Sequence, residues 1–297
     1  MNHAAIEPLN PIFIGLGPVN ITWYAIMILT GVLVGGILGA REGRRMGIKG
    51  EFFQDLVTWG FLWAVVGARL YYVLFNWEFY AQNPLLIPQI QRGGLAIHGA
   101  LIAAFIFGIV YCKKKGFNPW LIFDFAGVSF FMSQAIGRWG NFFNQEAHGG
   151  VVPGETLDAQ RAWLSNLALP RFVVDGMFIN GAYHHPTFLY EGLWNVVGFL
   201  IAAYLLRRLS FLLVGEIAAF YAIWYSIGRF FIEEMRTDSL MLTANIQMAQ
   251  FISIAIIVVA VVAVVVRRLM KWNMETYASY YGGQKIRKTV KDYAITN

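Results

Sequence analysis

The feature that most constrains this chain is a succession of long apolar stretches, the clearest being Ile246–Val266, an almost unbroken run of Ile, Val and Ala. A helix needs about 20 predominantly apolar residues to cross the hydrocarbon core of a bilayer. Seven segments qualify: Ile21–Ala40, Phe52–Phe75, Leu95–Tyr111, Trp120–Phe143, Pro186–Leu206, Phe211–Ile232 and Ile246–Val266. Of the 297 residues 58% are hydrophobic and only 13% are charged, where a soluble domain carries about 25% charged residues. Such a chain can bury its surface in lipid but can hardly stay dissolved as a monomer. Its 16% of aromatic residues suit the Trp and Tyr belts of membrane interfaces. The expected fold is an all-α integral membrane protein of seven transmembrane helices.

The formal charge of +6 would suit a nucleic-acid partner, but the cations stand in short runs beside apolar segments, which argues against one. Their placement gives the orientation through the excess of Lys and Arg in cytoplasmic segments. With the amino terminus outside, the inner segments hold Arg41, Arg44, Arg45 and Lys49, then Lys113 to Lys115, Arg207 and Arg208, and Arg267, Arg268, Lys271, Lys285, Arg287, Lys288 and Lys291. The outer segments hold only Arg92, Arg161, Arg171 and Arg236. The amino terminus is therefore expected outside and the carboxyl terminus inside. Met1–Asn20 has no Lys or Arg and lacks the layout of a cleaved signal peptide; it is expected outside, before the first span. The lone Cys112 cannot form an internal disulfide.

Residues 144–185 form the one long outer loop, expected to be a small extracytoplasmic head. Leu157–Leu167 predicts a short helix, and Phe172–Ile179 a hairpin turning at Asp175-Gly176. The expected domains are a seven-helix catalytic body over 1–271, head included, and a basic cytoplasmic tail over 272–297, loosely ordered near anionic lipid. Gly31, Gly35 and Gly39 recur at every fourth position and predict a face for close helix packing.

Charged residues inside spans carry the functional signal, because each costs at least about 2.5–3.5 kcal/mol to insert. Asp124 and Glu216 lie near cytoplasmic ends and read as structural. Arg69, His98, Arg138, Glu146, Glu191, Arg229 and Glu233 instead share a level in the outer half of the bilayer, supplied by different helices. Tyr225, Arg229 and Glu233 are four apart and line one helix face, as do Arg138, Asn141 and Gln145. Gly137 and Gly140 leave room near the backbone for a ligand. Two arginines in an apolar chamber at headgroup level point to a phosphodiester, which guanidinium holds bidentately without ever losing its charge. An anion transporter would use the same arginines, but inverted repeats and broken helices are not evident. A structural scaffold would leave the intramembrane charges without purpose.

The segment Gly137-Arg138-Trp139-Gly140-Asn141-Phe142-Phe143-Asn144-Gln145-Glu146-Ala147-His148-Gly149 resembles the signature of prolipoprotein diacylglyceryl transferases at every defined position. Three further segments resemble that family in the expected order: Arg92 to Gly99 around His98, His185-Pro186-Thr187-Phe188-Leu189-Tyr190-Glu191, and Tyr225 through Arg229, Glu233, Arg236 and Asp238. Ala100 and Ala103 stand where the family commonly has glycine, and Arg236-Thr237-Asp238 replaces an Arg-x-Pro-Asp pattern; these departures bear on substrate detail rather than on the reaction.

The resemblance implies seven transmembrane helices with a small outer head, in a bacterial cytoplasmic membrane with the active site toward the outer leaflet. It implies phosphatidylglycerol as donor and a prolipoprotein signal peptide as acceptor. The lipobox cysteine would become a thioether as glycerol-1-phosphate leaves, with no metal or organic cofactor. Arg138 and Arg229 are expected to hold the phosphate, with Asn141 and Tyr225 orienting it or the glycerol, and Gly149 in contact with the lipid. His98 is the first candidate for the base that takes the thiol proton, with Glu146 or Glu191 as alternatives if burial raises their pKa. Tyr24 resembles a functional family position and equally reads as an interfacial anchor. Asn144, Glu191, Glu233, Arg236 and Arg69 are expected to support these groups. His148, His184 and His185 have the look of metal ligands, but no accompanying Cys or carboxylate spacing supports a catalytic zinc site. A monomer is expected, since seven helices can enclose one chamber.

Overall fold

The structure is a computed structural model that describes residues 6–16, 19–243 and 246–280. Its elements are β1 (Ile12–Leu16), β2 (Val19–Thr22), α1 (Trp23–Arg45), α2 (Gly50–Phe75), α3 (Trp77–Gln82), α4 (Ile97–Lys114), α5 (Pro119–Asn144), α6 (Leu157–Asn166), α7 (Arg171–Gly176), β3 (Phe178–Ile179), β4 (Ala182–Tyr183), α8 (Thr187–Leu200), α9 (Glu216–Met235), β5 (Met241–Thr243), β6 (Ile246–Gln247) and α10 (Met248–Leu269). The strands form three antiparallel two-stranded pairs, β1 with β2, β3 with β4 and β5 with β6. Short 3-10 turns join some elements, and a π-helical turn at Ile201–Leu205 carries α8 onward to Arg208.

Among the described residues six helices are long and apolar enough to cross a membrane: α1, α2, α4, α5, α8 with its extension, and α10. The segment expected as the sixth span is also helical, as the 20-residue α9. It starts at Glu216 instead of Phe211 because Gly215 turns left-handed at φ 96°, which breaks the helical path. Arg229, Glu233 and Glu234 crowd its last turns, so composition alone does not mark it as a span.

The chain divides into two compact units, Met1–Gly35 with Ala126–Glu275 and Gly36–Phe125 with Thr276–Asn297. In the first, α1 and α5 meet through the glycine face. A Cβ at Gly31 would lie 2.8 Å from Ser133 O, and Ser133 Oγ uses the gap to donate to Gly31 O at 2.7 Å. Helices α8 and α9 are clasped by stacked indoles, Trp194 and Trp224, with ring centroids 4.3 Å apart. Trp194 Nε1 donates to Trp224 O at 2.8 Å, and Trp224 Nε1 donates to Trp194 O at 3.0 Å. Helix α10 is tied to the start of α9 by Arg268, whose guanidinium grips both oxygens of buried Glu216 at 2.6 Å, the structural part foreseen for Glu216.

The head, 144–185, has its own core of Val152, Leu164, Val173, Val174, Met177, Ile179 and Tyr183, closed by Phe142 and Phe188 from the adjoining helices. Helix α6 is the expected short helix, capped by Thr156 Oγ1, which accepts from Ala159 N at 3.3 Å. The expected hairpin is displaced. Arg171–Gly176 is helical, and Asp175, assigned to the turn, instead pairs with Arg161 at 2.6 Å. The turn falls at Asn180-Gly181, with φ of 51° and 86°, joining β3 to β4. Asn-Gly is the stronger hairpin signal, because both positions of such a turn need positive φ. A second hairpin, β1–β2, lies in the segment read only as preceding the first span.

In the second unit, α2 and α4 cross backbone to backbone: a Cβ at Gly67 would lie 2.6 Å from Gly99 O. Cys112 is buried in α4 as a small packing residue. The tail does not begin as a loose segment: Tyr277 and Tyr280 are buried in a 3-10 turn, and Tyr277 Oη donates to Glu42 Oε1 at 3.0 Å. Residues 281–297, which hold most of the basic tail, lie outside the described residues.

Candidate functional site

The signature helix α5 brings Arg138 to its C-terminal third, α8 brings Glu191 to its first turns and α9 brings Arg229 and Glu233 to its last. Antiparallel α8 between parallel α5 and α9 sets all of these side chains at one level. Glu191, 3% exposed, is the hub. Its Oε1 accepts from Arg138 Nη2 at 2.6 Å and lies 3.6 Å from Arg229 Nη1. Arg229 Nη2 reaches Glu233 Oε2 at 2.5 Å, and Glu233 stands 4.0 Å from Arg236, which forks onto Asp238 at 2.9 and 2.7 Å. At the other end Arg138 Nη1 approaches Asn141 Oδ1 at 3.4 Å, and Asn141 Nδ2 donates to Glu146 Oε1 at 2.9 Å.

Along the Arg138–Asp238 row, three guanidiniums alternate with three carboxylates, so the row is close to neutral despite its depth. That alternation answers the desolvation penalty of buried charge, which opposite charges offset only with close geometry. It is not saturated: Arg229 Nη1 is buried without a hydrogen bond, since 3.6 Å is beyond hydrogen-bond reach.

Gly149 sits where a side chain cannot: a Cβ there would lie 2.7 Å from His185 Cβ and 3.2 Å from Met235 O. Gly149 N donates to His185 O at 3.0 Å, and its own carbonyl is approached by His148 Nδ1 at 3.0 Å and His184 Nδ1 at 2.8 Å. The glycine thus joins the end of the signature to the residues before α8 and after α9. Burial pushes His184 and His185 below the usual imidazole range, while the hydrogen-bonded guanidinium of Arg236 holds Asp238 below the usual carboxylate range. Beside Asn141 and Glu146 a cleft of about 190 Å³, its open mouth included, runs to His148 and Thr187.

Tyr24 packs on the signature helix, filling the space that Gly140 leaves: a Cβ at Gly140 would lie 2.7 Å from Tyr24 Cδ2. The room expected there for a ligand is taken by this tyrosine. Its neighbour Trp23 stacks on Phe143 at 4.7 Å. Tyr225 is half-buried on the face of Arg229, its ring 6.1 Å from that of Tyr221. Asn144 closes α5, half-buried. Gln145 leaves the expected polar face, because the helix ends at Asn144 and Gln145 takes a positive φ of 50°. It serves the head instead, donating to Gly176 O at 2.9 Å and accepting from Leu9 N at 3.3 Å.

His98 and Arg69 belong to the second unit. His98 is exposed in the first turn of α4, its ring 6.0 Å from that of Tyr71, and makes no side-chain hydrogen bond among the described residues. Arg69, 6% exposed, is structural. It donates to the carbonyls of Leu86, Ile87, Gly93 and Gly94 at 2.7 to 2.9 Å and lies over the Tyr80 ring. It thereby shapes the loop that leads into His98.

Sequence reasoning missed Thr187, whose buried hydroxyl donates to Ala147 O at 2.5 Å and ties α8 to the signature. It also missed Asn195 and Ser226, buried one turn from Glu191 and Arg229; their i+4 and i−3 spacing from those charges was the available signal.

The family model described as prolipoprotein diacylglyceryl transferase matches residues 11–266. A protein of Geobacillus kaustophilus named phosphatidylglycerol–prolipoprotein diacylglyceryl transferase is 47% identical over 275 residues, covering 93% of this chain and 98% of its own. Proteins of the same name from Bacillus licheniformis and Staphylococcus xylosus are 48% and 44% identical, over 93% and 88% of this chain and 98% and 90% of theirs.

Proposed function

This chain belongs to the prolipoprotein diacylglyceryl transferase family, and from that premise we propose how its residues carry out the transfer. It is a membrane transferase of lipoprotein biosynthesis: it moves the diacylglyceryl group of phosphatidylglycerol onto the lipobox cysteine of a prolipoprotein. A thioether forms and glycerol-1-phosphate leaves.

The reaction is a displacement at carbon. The cysteine sulfur attacks the glycerol carbon esterified to phosphate, the carbon–oxygen bond breaks, and the bonding pair stays on the leaving phosphate. Arg138 and Arg229 bind the phosphodiester and stabilise the charge that gathers on the departing oxygen. The carrying observation is that guanidiniums from two helices converge on one oxygen of Glu191, at 2.6 and 3.6 Å, with Arg229 Nη1 unengaged. A phosphate oxygen approaching beside Glu191 meets Arg229 Nη1 with its hydrogen bond still to give. Glu191, Glu233 and Arg236 hold the pair in place, Asn141 and Tyr225 orient the phosphate or its glycerol, and Gly149 lets the backbone come close. Tyr24 braces the signature helix. His98 or Glu146 takes the thiol proton, since the thiolate is the nucleophile and a free thiol has a pKa of about 8.5.

In this reading α9 is a seventh span, with Arg229 paired to Glu191 and Glu233, and Glu216 paired to Arg268 of α10. The amino terminus lies outside and the carboxyl terminus inside, as the Lys and Arg placement implies. The site opens to the outer leaflet of the bacterial cytoplasmic membrane, and the chain acts as a monomer. The test is purified protein in phosphatidylglycerol vesicles with a lipobox peptide carrying one cysteine. Mass spectrometry should find the diacylglyceryl mass on that cysteine, with glycerol phosphate released in equal amount. Arg138→Ala should insert normally and lose both products; full turnover in that variant would remove the phosphate assignment.

A further inference from the structure

One turn deeper along the same three helices lies a second polar layer, without charge. Asn195 follows Glu191 by four residues on α8, Gln134 precedes Arg138 by four on α5, and Ser226 precedes Arg229 by three on α9. The helix register brings them level. Between α5 and α8, Arg138 meets Glu191, a Cβ at Gly192 would touch Ala135 O, and a Cβ at Gly198 would lie 2.6 Å from Phe131; the same register sets Gln134 beside Asn195. Between α8 and α9, Glu191 meets Arg229, Trp194 packs on Gly228 and Gly198 faces Trp224, which sets Asn195 beside Ser226. Asn195 and Ser226 are each 1% exposed. Among the described residues, neither Asn195 Nδ2, Asn195 Oδ1 nor Ser226 Oγ has a hydrogen-bond partner.

Unpaired buried amide and hydroxyl groups are costly, and apolar residues would pack there without that cost. The charged layer stands near helix ends and this layer toward the helix middles, displaced by one turn, about 5.4 Å. A phosphoglyceride whose phosphate lies on the arginines extends its acyl chains in the same direction. Its ester carbonyls, a few covalent bonds from phosphorus, then arrive at the level of Asn195 and Ser226. Ester carbonyls only accept hydrogen bonds, and the Asn195 amide and Ser226 hydroxyl have donors to give.

We propose that Asn195 and Ser226 recognise the ester carbonyls of the donor's glycerol backbone, and so select diacyl over ether-linked lipid while fixing the carbon that the thiol attacks. This rests on the placement of phosphate at Arg138 and Arg229. The two residues are positioning residues, acting on the lipid away from the reacting atoms.

The test compares diacyl phosphatidylglycerol with a dialkyl ether analogue of equal chain length, in vesicles with the lipobox peptide. Transfer and retained lipid are both read by mass spectrometry. The wild-type protein should favour the diacyl lipid by about 10-fold, the factor that corresponds to about 1.4 kcal/mol. Asn195→Leu, which removes the amide at similar volume, should bring the ratio close to one through loss on the diacyl lipid, with Ser226→Ala acting in the same direction. Equal use of both lipids by the wild type overturns the proposal. So does an unchanged ratio in both variants, the result expected if the layer holds only water. Should Asn195→Leu fail to fold, the wild-type ratio and Ser226→Ala still decide. If the wild type transfers nothing from either lipid, the transferase reading falls, and the ratio of retained lipids alone decides this proposal.

Discussion

Removing the carboxylate shared by two guanidiniums should cost more than any other single change in the row. In Glu191→Ala, Arg138 loses its 2.6 Å partner, and Arg229 loses the charge 3.6 Å from its Nη1. Taking one partner from a buried ion pair costs about 3–5 kcal/mol. An independent route agrees: two guanidiniums at most about 6 Å apart repel by roughly 3 kcal/mol at an effective dielectric near 20. At about 2–4 °C per kcal/mol for chains of comparable size, melting should fall by on the order of 10 °C. Glu191→Gln keeps an acceptor oxygen for Arg138 and should fall by less. The assay is thermal unfolding of the purified protein in detergent, followed by tryptophan fluorescence, with and without added phosphatidylglycerol. Because the lipid phosphate would take the place of the lost carboxylate, lipid should restore more melting temperature to Glu191→Ala than it adds to the parent. A variant that melts within about 2 °C of the parent, with the same lipid shift, would refute both the buried-pair energetics and the phosphate placement.

Two further outcomes follow from groups outside the ion row. Arg69→Lys should open the loop from Leu86 to Gly94, since an ammonium cannot span the four carbonyls that the guanidinium fork reaches. Hydrogen bonds from charged donors are worth about 1.5–3 kcal/mol each, so limited proteolysis should cut the variant in that loop under conditions that spare the parent. The head should lose stability in mild acid. His184 and His185 titrate below their ordinary pKa of 6.5, so the unfolded chain binds more protons as pH falls through that value. Their contribution is complete above about pH 6.5 and declines below it, whereas that of Asp238, also lowered, is lost only at more acid pH. Melting curves across pH 5 to 8 should show the decline, and the His184→Gln, His185→Gln double variant should flatten it.

The parts of the molecule governed by hydrophobic length and by charge were legible in the sequence. All seven expected spans are helical, six of them long and apolar enough to cross a membrane, and the Gly31 and Gly35 face meets a partner helix. Arg138, Asn141, Glu146, Glu191, Arg229, Glu233 and Arg236 form one connected network, because isolated charges in apolar helices must find one another. What escaped was set by local backbone preference or by partners distant in sequence. Asp175 resembled a turn residue, but Arg161, fourteen positions earlier, draws it into an ion pair, and the turn moves to Asn180-Gly181. Gln145 fitted a polar helix face until the helix ended one residue before it. Arg69 looked like a member of the chamber, yet it saturates loop carbonyls that no spacing rule connects to it. Asn195 and Ser226 were passed over because uncharged polar residues are common in spans; only their burial without partners sets them apart.

The clasp between Trp194 and Trp224 limits how a substrate can enter. Each indole donates to the carbonyl of the other residue, and each ring fills the space beside a glycine of the opposite helix, Gly228 or Gly198. Sliding α8 against α9 by even a fraction of a turn would break both bonds and drive indole into backbone, so the two helices travel as one rigid plank. A two-chained lipid or a peptide that parted them would lose both bonds and the ring stack. A lateral doorway from the bilayer therefore costs least along another seam, with the α8–α9 pair as its jamb.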